Sequence, residues 1–214
     1  MQYTRTPQFP GSQREEARCR VVWMIAAVLV VVACACALAT LPGKAYAKSY
    51  TMPQVNIQAQ LETDGTLHVV EQRTFDFNGS YSAIWWSLNL LPTNAEFSVN
   101  GVRMMGVDDS GAAEGSMSAL PEVPFELKWR EEGGPGRNSY SLDSPKNTVY
   151  VFFGSHPERV VVELDYTITN MAQVYDDVSE VYWQYLGSEW SAASENVTAT
   201  LQLPLPQGVT VDPA

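Results

Sequence analysis

The side chains able to carry chemistry are few. There are two histidines, His68 and His156, and three cysteines, Cys19, Cys34 and Cys36. With no cysteine after Cys36, a structural zinc site further along lacks an adequate ligand set. A Ser-His-Asp triad would need one histidine beside a serine on a shaped turn, and no Gly-x-Ser-x-Gly segment is present. Carboxylates are plentiful, as Asp108-Asp109, Glu131-Glu132, and Asp176-Asp177 with Glu180. Glycoside hydrolysis needs two of them roughly 5–10 Å apart in a groove. Asp176, Asp177 and Glu180 also offer hard oxygens that attract a cation, although their spacing is not that of an EF-hand loop. The plainer reading of every one of these acids is solvated surface charge. No catalytic residue, metal or cofactor is therefore assigned.

The aromatics are more suggestive. Trp85, Trp86, Trp183 and Trp190 are the candidate binding residues, with Trp129, Tyr182 and Tyr185 nearby in sequence. Neighbours on a strand face opposite sides, so Trp85 and Trp86 cannot both enter the core of a half-buried sheet. An exposed ring would serve as a sugar-stacking platform. The competing reading is a core anchored by large rings, with the odd tryptophan under a loop.

The elements that position these side chains read as strands. Val55, Ile57, Ala59 and Leu61 alternate with polar residues, and Glu62-Thr63-Asp64-Gly65 supplies a turn. The chain returns through Leu67, Val69, Phe75 and Phe77. Glu71 and Arg73 share that parity and are expected as an ion pair at the rim of the core, with a catalytic Glu71 as the alternative. Phe97–Val99, Asn100-Gly101 and Val102–Met105 predict a hairpin with a type I′ turn. Asp108–Pro121 and Arg130–Asn138 read as loops, and Val123–Trp129, Val149–Phe153, Val160–Ile168 and Val178–Tyr185 as strands. Met171–Val178 is the one stretch after Leu41 that suits a short helix. About nine strands at this spacing predict an all-β domain, an antiparallel β-sandwich of immunoglobulin-like arrangement.

The first residues read as an address. Arg14, Arg18 and Arg20 precede an apolar run from Val21 to Leu41, then Pro42-Gly43 and Ala45-Tyr46-Ala47. That is the order of a secretory signal, with small Ala45 and Ala47 placing cleavage before Lys48. The run is also long enough to span a bilayer, so an uncleaved signal anchor is the alternative, and a lipidated Cys34 a third. Each version exports residues 48–214, a cysteine-free domain held by its core. It carries 8 basic and 22 acidic residues, against a net charge of −11 for the whole 214-residue chain. Such a surface excludes nucleic acid, which requires a basic stripe.

Two segments then resemble a known family. Asp64–Glu71 runs into Phe75–Tyr81, and Asp165–Ile168 leads through Tyr175–Trp190 to Asn196-Val197 and Leu203-Pro204. From Tyr50 to Pro206 the chain resembles the N-terminal domain of a bacterial predicted membrane-protein family, domain of unknown function 2207. The resemblance implies an exported β domain followed by transmembrane helices, with no reaction attached and no catalytic residue to carry over. No such helix follows before Ala214, which reads as truncation. The expectation is a non-enzymatic extracytoplasmic interaction module at the cell membrane. Its partners would be the bilayer, through the apolar leader, and an envelope protein or glycan. A carbohydrate-binding module and, behind it, an envelope glycan hydrolase are the alternatives.

Overall fold

The structure is a computed structural model that describes residues 20, 23, 24, 48–88, 91–107, 113–205 and 208. The chain divides into two units, Met1–Tyr46 and Ala47–Ala214. Most of the first unit lies outside the described residues, including Cys34, Ala45 and all of the apolar run 21–41 except Trp23 and Met24, as does the flanking Ala47. Among the described residues, no helix is long and apolar enough to cross a membrane. Lys48 is exposed and directly precedes the first strand.

The second unit is built from strands, as expected. They are β1 (Ser49–Leu61), β2 (Leu67–Asn78), β3 (Ala83–Ser87), β4 (Phe97–Val107), β5 (Ala113–Ala119) and β6 (Ser139–Asp143), then β7 (Thr148–Phe152), β8 (Arg159–Ile168), β9 (Ala172–Val174), β10 (Ser179–Val181) and β11 (Val197–Gln202). A six-stranded sheet has the order β11-β1-β2-β8-β4-β5, a three-stranded sheet the order β3-β7-β6, and β9 and β10 pair with each other. Strict alternation drives the layering. Leu67, Val69, Phe75 and Phe77 of β2 and Val160, Val162, Leu164, Tyr166 and Ile168 of β8 point to one side and are buried. Ile84 and Trp86 of β3 and Val149 and Val151 of β7 join them in one hydrophobic cluster. The Phe75 and Trp86 rings meet edge to face at 5.9 Å, joining the two sheets.

Several local expectations are corrected. Asn100-Gly101 makes no turn. β4 runs unbroken past it, paired to β8 from Phe97↔Ile168 to Gly106↔Val160 with an irregularity between Val99 and Gly101. The Asn100 amide donates to Asp165 Oδ1 and Thr167 Oγ1 at 2.8 Å each, so cross-strand bonds outweigh the local turn preference. The hairpin partner of β4 is instead β5, inside the stretch expected to be a loop. Met171–Val178 is not helical. It holds β9 and a tight turn closed by Tyr175 N–H donating to Val178 O at 2.8 Å. Only Ser179–Val181 of the expected Val178–Tyr185 strand is extended. Val123–Trp129 carries no strand, and Trp129 begins a single helical turn to Glu132. The expected antiparallel sheet also has one exception, because β11 runs parallel to β1.

Candidate functional site

The parity of β2 builds the floor of the site. Glu71 and Arg73 sit between Val69 and Phe75 on the core side and are 3% and 1% exposed. The expected pair at the rim therefore lies inside the core. Burying two charges is costly unless each finds partners, and here each does. Glu71 Oε1 accepts from Arg73 Nε and, at 3.0 Å, from Trp86 Nε1. Tyr166 donates its hydroxyl towards Glu71 Oε2 at 3.5 Å. Arg73 Nη1 reaches Ser194 Oγ at 3.3 Å and Met52 Sδ at 3.7 Å. Its guanidinium lies 4.7 Å from the centre of the Trp190 ring, a cation–π contact. Burial, reinforced by the negative Glu71, pushes the Tyr166 hydroxyl well above the ordinary tyrosine range.

Residues 182–196, between β10 and β11, form a strap over this floor. Its far end is tied to β1: Ser191 N–H donates to Tyr50 Oη at 3.1 Å and Asn196 Nδ2 to Pro53 O at 2.8 Å. The strap brings Trp190 to 5.2 Å from Trp86, edge to face, and Trp183 to 6.3 Å from Tyr166. Between strap and floor opens a cleft of about 60 Å³, walled by Trp86, Trp183, Tyr185 and Trp190 with Glu189 among its lining residues. The Trp183 Nε1 atom is buried there without a hydrogen-bond partner. Burial also raises the Tyr185 hydroxyl above its usual range.

Three of the four candidate tryptophans thus meet in one place. Trp85 borders the same cleft, but its ring points to the opposite face of β3, 53% exposed and 6.5 Å from the Tyr150 ring. Trp86, 4% exposed, is core, and only one of the adjacent pair is buried. Asp176, Asp177 and Glu180 are exposed on and beside the β9–β10 turn. Among the described residues, no group of three His, Cys, Asp or Glu side chains is placed to hold a metal ion. His68 Nε2 pairs across the sheet with Asp165 Oδ1 at 2.8 Å, and His156 Nδ1 lies 3.0 Å from Tyr81 O. Among the described residues neither makes a hydrogen bond to a serine. Glu131 and Glu132 are exposed on the helical turn, away from the cleft lining.

The site adds Tyr166, which the sequence marks only as a strand residue, and Glu71 with Arg73, expected at the rim. A signal was present: two charged residues at consecutive core-parity positions of a strand, between Val69 and Phe75, must be paired inside. Chemically, the arrangement can grip a side chain or small polar group between rings. The oxygens of Glu71 already face protein donors, which leaves little capacity for proton transfer.

The family model described as predicted membrane protein (DUF2207) N-terminal domain matches residues 51–212. No curated protein matches. Among solved structures, an M1 zinc metallopeptidase from Deinococcus radiodurans is similar at 13% identity over 60% of this chain and 22% of that one, with a TM-score of 0.34. A putative protease from Parabacteroides distasonis is similar at 12% identity over 56% of this chain and 22% of that one, with a TM-score of 0.27. The chain spans about a fifth of either structure, and overlaps this loose carry no argument about activity.

Proposed function

The chain belongs to the DUF2207 family of predicted membrane proteins, and on that premise we propose that residues 48–214 are a non-enzymatic, extracytoplasmic interaction domain of the cell envelope. The apolar run 21–41 would hold it at the membrane. Two sheets around one core support reading the domain as a β-sandwich, with the immunoglobulin-like arrangement as its working comparison. The observation that carries the functional reading is the aromatic cleft. Trp, Tyr and Arg are the residues on which interface energy concentrates, and here they surround an opening of about 60 Å³. That space suits the tip of one partner side chain better than a whole sugar or a drug-sized ligand.

Labelling and cross-linking in intact cells test it. In a full chain with Cys19, Cys34 and Cys36 changed to Ser, Ser188→Cys at the cleft is expected to react with a membrane-impermeant maleimide. Labelling only after lysis overturns the extracytoplasmic reading. A photo-cross-linker at the same position should give one discrete adduct, lost in Tyr185→Ser and kept in Glu131→Gln. A smear unaffected by Tyr185→Ser overturns the role of the cleft.

A second reading is favoured by Trp85 alone. Its half-exposed ring beside Tyr150 offers a flat apolar face of the kind a sugar ring stacks on. Glycan-array binding that disappears in Trp85→Ala would support this reading, and an array without signal would remove it. Trp86→Ala is unsuited to the purpose, because Trp86 is core.

A further inference from the structure

We propose that the β9–β10 hairpin is a docking surface for a cationic, apolar segment of a partner protein, with lysines or arginines interleaved among apolar residues. This rests on the interaction-domain reading and names the chemistry of the partner. Four large apolar side chains stand in water within nine residues: Val174 is 79% exposed, Tyr175 51%, Val178 50% and Tyr182 81%. Exposed apolar groups gathered this closely mark a surface that is covered in use. Among the described residues β9 and β10 pair as strands only with each other, so the hairpin belongs to neither larger sheet. A two-stranded ribbon is marginal by itself and gains most from a partner laid against it.

Charge selects the occupant. Asp176, Asp177 and Glu180 stand among the four apolar residues. No Lys, Arg or His follows Arg159 in the sequence, whereas eight Asp and Glu do. Two of those eight are engaged inside the large sheet, Glu163 with Arg103 and Asp165 with His68. The hairpin segment therefore presents apolar contact together with acids and no base of its own, which steers in a basic partner and repels an acidic one. An anionic bilayer surface is disfavoured for that reason. A second copy of the hairpin would bring like charges together.

The test uses the full chain in detergent-free nanodiscs of zwitterionic lipid. The probe is a synthetic peptide of alternating Lys and Leu, with a Glu/Leu peptide and anionic phosphatidylglycerol vesicles beside it. Binding is read by fluorescence anisotropy at low and at 0.5 M salt. The Lys/Leu peptide is expected to bind and to weaken as salt rises. Val174→Ser combined with Tyr182→Ser should weaken it tenfold or more, and so should Asp176→Asn with Asp177→Asn. Glu131→Gln with Glu132→Gln removes the same charge elsewhere and should leave affinity within twofold. Equal loss in all three double variants would mean unspecific charge attraction and overturn the proposal, as would no loss in the hairpin variants. Hairpin-dependent vesicle binding or self-association also overturns it. Should the apolar variant fail to fold, the Asp176/Asp177 pair decides. Cytoplasmic labelling at position 188 would remove the parent reading while leaving peptide binding in place. An externally labelled chain that ignores the peptide would remove this inference alone.

Discussion

The floor of the cleft and the β9–β10 hairpin invert the usual distribution in opposite senses. The floor puts charge inside: Glu71 and Arg73 are almost wholly buried among phenylalanine, valine and tryptophan. The hairpin puts apolar surface outside, with Val174 and Tyr182 about four-fifths exposed. The floor is answered from within the chain, because Trp86, Tyr166, Ser194 and the face of Trp190 supply its partners. Among the described residues β9 and β10 pair as strands only with each other, tied at their base to the β1–β2 turn by Ala172 N–H donating to Gly65 O at 3.4 Å. A buried charge satisfied by its own chain is structural first, whereas apolar side chains left in water point to something outside it.

The comparison breaks most visibly at Glu71. Glu71→Leu should cost about 3–5 kcal/mol in urea unfolding, because it strands the Arg73 charge in the core. Glu71→Leu with Arg73→Met should cost clearly less than the single change, since the whole charged pair has gone. A double variant as unstable as the single one would show that the pair does more than satisfy itself. Trp86→Ala follows, at about 3–5 kcal/mol for a large buried ring that also donates to Glu71. Trp85→Ala, one residue away on the exposed face, should stay within about 1 kcal/mol. Similar losses for the two would mean that β3 is not one-sided.

Tyr166 sharpens the contrast through pH. Burial, reinforced by the facing Glu71 carboxylate, holds its hydroxyl well above the ordinary tyrosine range in the folded chain, and unfolding returns it to that range. A raised folded-state value gives stability that is fully present below about pH 10 and is lost as pH climbs from there towards the folded value. Melting temperature should therefore fall from about pH 10 upward, and Tyr166→Phe should flatten that fall. At pH 7 the same variant should lose about 0.5–1.5 kcal/mol, the worth of one hydrogen bond. Some alkaline slope should persist in it, because burial also raises Tyr81 and Tyr140. An unchanged slope would place the Tyr166 hydroxyl in water.

Alternation makes the layers of this protein legible in its sequence. Every second residue of β8 from Val160 to Ile168 is buried, and Trp85 and Trp86 divide between two faces as parity requires. Legibility failed where tertiary partners decide. Asn100-Gly101 has the chemistry of a turn, yet Asp165 and Thr167 on β8 hold Asn100 in an unbroken strand. The pairing of β11 with β1 joins Val55 to Val197, a separation no local pattern can announce. The site suffered likewise. Its rings are recognisable by type, but the strap that brings Trp183 beside Tyr166 and Trp190 over Arg73 has no regular structure, and periodicity cannot find it.

The smallest expected effect is the most informative about the hairpin. Val174→Ser and Tyr182→Ser remove side chains that are already mostly in water, so little burial is lost on folding. Each should change unfolding free energy by no more than about 0.5 kcal/mol, the ordinary range for surface substitutions. Tyr182 adjoins Trp183, whose ring packs 6.3 Å from Tyr166, so a loosened strap would show in tryptophan fluorescence before it showed in stability. Unchanged stability and emission would mean that these apolar side chains do nothing for the fold of the chain that carries them. A loss of 2 kcal/mol or more, about the value of a buried apolar side chain, would mean that the hairpin is covered by its own domain. Its exposed character would then be no guide to a partner.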